Sequence, residues 1–321
     1  MTKQRVLCVV GPTAVGKSDL AVDICLKYHG EVISADSMQI YRGMDIGTAK
    51  LTTAEQRGIT HHLLDIVDPT SSYTVATWKD EADKTIKSLG KRHLLPVVCG
   101  GTGLYIRAIT DDLQFPERPD TLQIRARWYT FLETHGPHAL HEQLERVDPL
   151  SAKRLHENDV KRVIRALEVA ETADKPLSEG YDWSPKTGRY DVLLIGLFME
   201  REALYERVNR RVDRMVDLGL FAEVRKLLEA GVTPEHTALQ AIGYKEVVQC
   251  LQGECSAEEA IESIKRNTRR FVKRQLSWFR RDPRIEWFER NVDGTFPPGE
   301  EDRLWRMIAD YLEGKRTMPH E

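Results

Sequence analysis

No stretch of the 321 residues approaches the ~20 consecutive apolar residues of a membrane span. The longest early apolar run, VLCVV at 6–10, is too short for the core of a signal peptide. A cytoplasmic location is the expectation that follows. Cysteine is sparse: Cys8, Cys25, Cys99, Cys250 and Cys255 are odd in number, scattered, and form no C-x-x-C pair. That argues against a disulfide framework, and three of the five sit in apolar runs, as buried thiols of a reducing compartment do. His61-His62 and His138-x-x-His141 lack Cys or Glu at zinc-site spacing. G-x-S-x-G is absent, and Asp111-Asp112 lacks the longer aspartate-rich spacing that grips a diphosphate through Mg²⁺. There is no internal repeat and no low-complexity segment.

What is present is an ordinary soluble composition, 41% apolar and 30% charged, long enough for one large or two modest domains. Apolar, β-branched runs at 5–10, 31–35, 94–99 and 191–198, with a weaker one at 62–67, alternate with helical patterns at 17–28, 74–90 and 158–173. Strands alternating with helices predict a parallel α/β sheet covered on both faces. Between Phe115-Pro116 and the SPKTG turn at 184–188 the strand signal stops, so 117–187 reads as a helical excursion. Helices dominate after 198, with a Ser256/Glu259 capping box before a long one. The tail from about 291 reads as peripheral.

Gly11-Pro12-Thr13-Ala14-Val15-Gly16-Lys17-Ser18 fits G-x-x-x-x-G-K-[ST], after a strand and before a helix. Glycines let backbone N–H groups turn around an anion at the positive end of a helix. Lys17 adds a mobile cation and the Ser18 hydroxyl a ligand for Mg²⁺. The partner motif of a nucleotide hydrolase, an apolar strand ending in Asp, is missing: LLPVVC runs into Gly100-Gly101-Thr102-Gly103. Asp36, with Ser37, Met38 and Gln39, follows the second strand at the edge where open α/β sheets bind ligands. It suits a general base or metal ligand, and the Gln39 amide suits an adenine edge. Asp36-Ser37 equally suits the cap of a following helix, and on the residues alone both readings stand.

Residues 265–281, KRNTRRFVKRQLSWFRR, carry eight basic side chains and no acidic one, on a chain whose net charge is −3. At ~100° per residue the basic positions fill one half of a helix and Ile264, Phe271, Val272, Leu276, Trp278 and Phe279 the other. Such a one-sided cationic stripe fits a nucleic-acid backbone. In NDVKRVIRALE, Lys161, Arg162 and Arg165 lie on successive turns, suited to a diphosphate or RNA backbone.

Taken together, GPTAVGKS (11–18), ISADSMQIYRGMDIGTAK (33–50), HHLLDIVDP (61–69), GGTGLYIRA (100–108), NDVKRVIRALE (158–168), QAIGYKE (240–246) and FVKRQLSWFR (271–280) resemble the tRNA dimethylallyltransferases, in the bacterial form. The resemblance implies a P-loop-kinase-like parallel sheet flanked by helices, with an inserted all-helical domain and a helical C-terminal region. The expected divisions are 1–116, 117–187 and 188–321. It implies transfer of a dimethylallyl group from dimethylallyl diphosphate to N6 of the adenosine 3′ of the anticodon, in tRNAs reading codons that begin with U. Asp36, Thr102 and Lys17 would be catalytic, and residues 11–18 with Arg162 would hold the diphosphate, with Mg²⁺ on Ser18. The tRNA anticodon stem-loop would meet Asp36, Ser37, Met38, Gln39, Thr102, Arg125, Lys161, Arg162, Arg165, Gln240, Tyr244, Lys245, Arg270, Lys273 and Arg274. A monomer is expected. A P-loop small-molecule or nucleoside kinase would use the same loop for ATP, and a non-catalytic RNA-binding protein would need neither Lys17 nor Asp36; both stand as alternatives.

Overall fold

The computed structural model describes residues 3–115, 122–172 and 188–315. The chain divides into two compact units, Met1–Gln114 with Pro185–Glu321, and Phe115–Ser184. The sequence boundaries at 116–117 and the expected turn at 184–187 lie outside the described residues.

The first unit is built on β1 (Arg5–Val10), α1 (Lys17–Tyr28), β2 (Gly30–Ser34), β3 (His61–His62), α2 (Val75–Lys91), β4 (Leu95–Gly100) and α3 (Gly103–Thr110). The second unit follows in the chain, with α4 (Leu122–Val147), α5 (Pro149–Arg154) and α6 (Val160–Thr172). The first then resumes with β5 (Asp191–Phe198), α7 (Arg201–Asp217), α8 (Leu220–Glu229), α9 (Tyr244–Leu251), α10 (Ala257–Phe279), β6 (Glu286–Glu289) and α11 (Glu300–Leu312).

The six strands form one sheet in the order β3-β2-β4-β1-β5-β6, every pairing parallel. Alternation along β1 sorts its side chains to two cores. Leu7 and Val9 join Leu20, Ile24, Ile195, Val208 and Ile308; Val6, Cys8 and Val10 join Trp78, Ile86, Ile106 and Phe279. Helices therefore cover both faces, as a parallel sheet requires. Cys8, Cys25 and Cys99 are buried in it, and burial pushes all three thiols above their usual range.

Two elements differ from the sequence expectation. β6 went unpredicted because four residues, EWFE, bury only Phe288 and give no run to detect. The tail is not peripheral: α11 buries Leu304, Ile308 and Tyr311. The Tyr311 hydroxyl accepts from Val6 N (3.2 Å) and donates to Asp191 O (2.7 Å), tying the starts of β1 and β5 together. The second unit packs around Leu140, Leu144, Val163, Ile164 and Leu167. Its helix α4 breaks at Gly136 (φ +79°), where Pro137 follows. Among the described residues, no helix is long and apolar enough to cross a membrane.

Candidate active site

Because β4 lies between β2 and β1, three loops leave the carboxyl edge of the sheet as neighbours. The 11–18 loop follows β1, the Thr102 loop follows β4, and Asp36 follows β2. In sequence these lie far apart, and only the strand order brings them together.

Gly11 is held at φ +142°, and a Cβ there would meet Leu197 O at 2.5 Å, so only glycine fits against β5. Gly16 opens α1 in the left-handed region, and Ala14 adopts φ +66° without the glycine exemption, a strained conformation of the kind found at ligand-binding loops. Lys17 Nζ donates to Pro12 O at 2.7 Å. Burial pushes the Lys17 ammonium down to about 8; the Asp36 carboxylate opposes that shift and Arg211 reinforces it. The same burial drives the Cys99 thiol to about 12, keeping it protonated beside the loop.

Asp36 takes the capping role its position allows. Its Oδ1 accepts from Met38 N (2.9 Å) and Gln39 N (3.4 Å), capping a tight turn rather than a helix. Among the described residues Oδ2 takes no hydrogen bond. Thr102 stands beside it: its Oγ1 accepts from Ser37 N (3.0 Å) and its backbone N–H donates to Ala35 O (3.1 Å). A Cβ on Gly100 would lie 2.1 Å from Ala35 O, so glycine is what lets the ends of β2 and β4 close up. Ser18 lines a small hollow with Ser34, Gln39, His61 and Cys99. Among the described residues no three His, Cys, Asp or Glu side chains gather as a metal cluster. The donor set suits Mg²⁺ that takes one protein hydroxyl, from Ser18, and fills the rest of its shell with phosphate oxygens and water.

Against this geometry the family model described as IPP transferase matches residues 39–282. The chain belongs to the IPP transferase family. The tRNA dimethylallyltransferase of Carboxydothermus hydrogenoformans is 48% identical to it over 289 residues, 89% of this chain and 92% of that one. The full-length tRNA isopentenylpyrophosphate transferase of Bacillus halodurans superposes with a TM-score of 0.73 at 41% identity, covering 99% of this chain and 100% of that one. A eukaryotic dimethylallyltransferase acting on tRNA superposes with a TM-score of 0.79 at 30% identity, covering 99% and 81%.

In this family member two residues expected at the RNA are engaged elsewhere. Gln39 spends its amide internally: Nε2 donates to Thr48 O (3.1 Å) and Oε1 accepts from Ser34 Oγ (3.3 Å), so it holds a turn instead of presenting a free edge. Tyr244 is fully buried, and its hydroxyl donates to Glu223 Oε1 at 2.6 Å. Burial raises its pKa, and Glu223 adds to the rise. A Cβ on Gly47 would strike its ring at 2.4 Å, so Tyr244 is a core residue that shapes the 45–47 turn. Glu223 completes that turn by accepting from Asp45 N, Ile46 N and Gly47 N at 2.9, 2.8 and 3.1 Å. Gln240 and Lys245 are exposed, although the Gln240 amide donates to Pro234 O.

The capping box at Ser256 and Glu259 starts α10 as expected. Its basic stripe is narrower than the sequence suggests. Lys265 pairs with Asp213 of α7 (2.7 Å) and Arg269 donates to Asn209 (2.7 Å), acceptors that a single-helix projection cannot reveal. Arg266, Arg270, Lys273 and Arg274 face outward. In the second unit Lys161 and Arg162 are exposed, Arg162 with Asp159 Oδ2 at 3.1 Å. Arg125 and Arg165 both bond Glu168, at 2.5 and 2.8 Å, and the Glu168 side chain is fully buried. Burial works against that carboxylate's charge, but the two arginines outweigh it and hold its pKa below the usual range. Arg125 and Arg165 are therefore structural cations first.

Sequence reasoning missed three further residues near the loop. Arg211 and Arg290 bring two more cations, both held below their usual pKa by burial; Arg290 Nη2 lies 3.3 Å from where a Gly16 Cβ would stand. Neither carries a motif that would flag it. Gln275 left a visible trace: with Thr268 it interrupts the apolar face of α10, and it is the one polar residue among the helix's buried positions.

Proposed function

We propose that the protein transfers a dimethylallyl group from dimethylallyl diphosphate to N6 of the adenosine 3′-adjacent to the anticodon in tRNAs reading UNN codons, releasing diphosphate. The observation that carries this reading is the convergence of the phosphate loop, Thr102 and the Asp36 carboxylate at one sheet edge. The tRNA dimethylallyltransferase name of the relatives agrees with it.

Adenine N6 is a weak nucleophile because its lone pair is delocalised into the ring. As N6 attacks the allylic carbon, the C–N bond forms, the C–O bond to diphosphate breaks, and a proton leaves N6. Asp36 Oδ2 is the acceptor for that proton, held in place by the bonds its other oxygen makes. Negative charge builds on the departing diphosphate, and the loop amides, the N-terminus of α1 and Lys17 stabilise it as it develops. Mg²⁺ held through Ser18 would add charge neutralisation on the same oxygens. Thr102, fixed by Ser37, stands between the two reacting partners. The base must be flipped out of its stack to reach this edge. Lys161, Arg162, Lys245, Arg270, Lys273 and Arg274 are among the exposed cations available to the RNA backbone.

The experiment is to incubate undermodified tRNA with labelled dimethylallyl diphosphate, or with labelled ATP, each with and without Mg²⁺. Label entering RNA from the allyl donor alone is the expected result. Label passing from ATP to a small acceptor, with none entering RNA, would overturn it in favour of a kinase.

A further inference from the structure

We propose that Gln275 is a positioning residue that fixes the diphosphate-binding loop against the loop carrying Thr102. The parallel ladder between β1 and β4 ends at the pair Val10↔Gly100. Beyond that pair both chains turn into glycine-bearing loops with no strand pairing between them. The Gln275 side chain supplies the next rung. Its Oε1 accepts from Thr13 N at 2.9 Å, and its Nε2 donates to Gly101 O at 3.1 Å.

A buried glutamine placed only for packing would satisfy itself on its own helix. This one, 5% exposed, reaches one backbone group in each of two loops, 262 and 174 residues away in sequence. Both ends of the amide are used, and reversing it would set Nε2 against the Thr13 N–H and Oε1 against the Gly101 carbonyl. The fit at Gly101 is tight: a Cβ there would stand 2.2 Å from Gln275 Nε2. Trp278, one turn further along α10, closes on Gly103 in the same way, its ring 2.1 Å from where a Cβ would be. The buried face of α10 thus sets the spacing between the diphosphate and Thr102, while Lys273 and Arg274 beside it face solvent. The Thr13 N–H is committed to Gln275, so the phosphate cradle is built from the amides after it.

The role rests on the transfer reaction proposed above, and the test separates the two. In Gln275→Met, which keeps volume and removes both bonds, kcat is expected to fall ~30-fold or more and the affinity for inorganic diphosphate ~10-fold, with KM for tRNA within about twofold, since ångström-scale misplacement costs rate more than binding. Gln275→Glu keeps the acceptor for Thr13 N–H and should retain more diphosphate affinity than the Met variant. Gly101→Ala should be harmful beside Gln275 and add little beside Gln275→Ala, a non-additivity that residues acting independently do not show. Wild-type kcat and diphosphate affinity in a folded Met variant, or full additivity with Gly101→Ala, would overturn the role. Should the Met variant fail to fold, the Glu variant and the Gly101 cycle decide. If the wild-type protein alkylates no RNA, the transfer reading falls, and diphosphate calorimetry still judges Gln275.

Discussion

The sheet edge and the second unit both concentrate charged side chains, yet they use them in opposite ways. At the edge the hydrogen bonding of the charges is incomplete: among the described residues Asp36 bonds through one oxygen, and the Lys17 ammonium bonds one group, the Pro12 carbonyl. In the second unit Arg125 and Arg165 are both bonded to one buried carboxylate, Glu168, which completes its own pairing and offsets one of their two charges. Incomplete charge is what a reacting ligand finds; completed charge is what a fold rests on. Basic residues in a motif therefore report chemistry only after their partners are known.

The largest expected effect comes from the open side of that comparison. Asp36→Ala should lower kcat by ~10³-fold, within the range of a lost general base, while a filter-binding measurement of tRNA affinity stays within about threefold. A matching collapse of binding would make Asp36 a recognition residue. On the closed side, Glu168→Ala should destabilise the protein by roughly 2–3 kcal/mol, below the range for breaking a fully buried pair because both arginines are half exposed. Chemical denaturation measures it, and an unchanged midpoint would show the Glu168 cluster to be ornamental. The α10 stripe tests the middle case. Lys273→Glu with Arg274→Glu should weaken tRNA binding ~10-fold or more and flatten the salt dependence by about one per lost phosphate contact; an unchanged slope contradicts the stripe.

The smallest effect is a pH dependence. Free Lys17 loses its proton near pH 8, and a bound diphosphate favours the charged form. Diphosphate affinity should therefore be flat between about pH 7, where the ligand's own second phosphate ionisation (~6) is complete, and about pH 8, and fall by up to tenfold per pH unit above that, by the linkage between proton and ligand. The stability sign follows from the same depression. Between about 8 and the model-peptide value of 10.5 the unfolded chain holds the extra proton, so the unliganded protein gains stability as pH rises through that window. Titration calorimetry at pH 7 and 9 reads the first effect.

Much of this was legible in the sequence. Five strands, the phosphate loop and the Ser256 cap are local patterns, set by alternation, glycine spacing and capping chemistry, and local patterns survive reading one residue after another. The strand order, which seats Thr102 beside Asp36, is a global property that no single strand carries. Tyr244 and Gln39 were read only as RNA contacts for a related reason: a motif preserves residues that shape a turn as well as residues that touch a ligand, and Tyr244 serves Glu223 and Gly47. Lys265 looked free because Asp213, the nearer of its two carboxylate partners, lies on another helix, and because Glu262, one turn back on α10, falls just outside the basic run. The four-residue edge strand β6 is too short to carry a period.

The Gln275 bridge has one more consequence, for the protein as it is being made. Thr13 emerges from the ribosome 262 residues before the side chain that holds it. At ~5–20 residues per second that interval is roughly 13–50 s. Throughout it the phosphate loop exists as a sequence without its brace, and β1 waits at the centre of the sheet for β5 to arrive. The Thr13–Gln275 bond can form only once α10 has been synthesised, after every strand but β6 has been made.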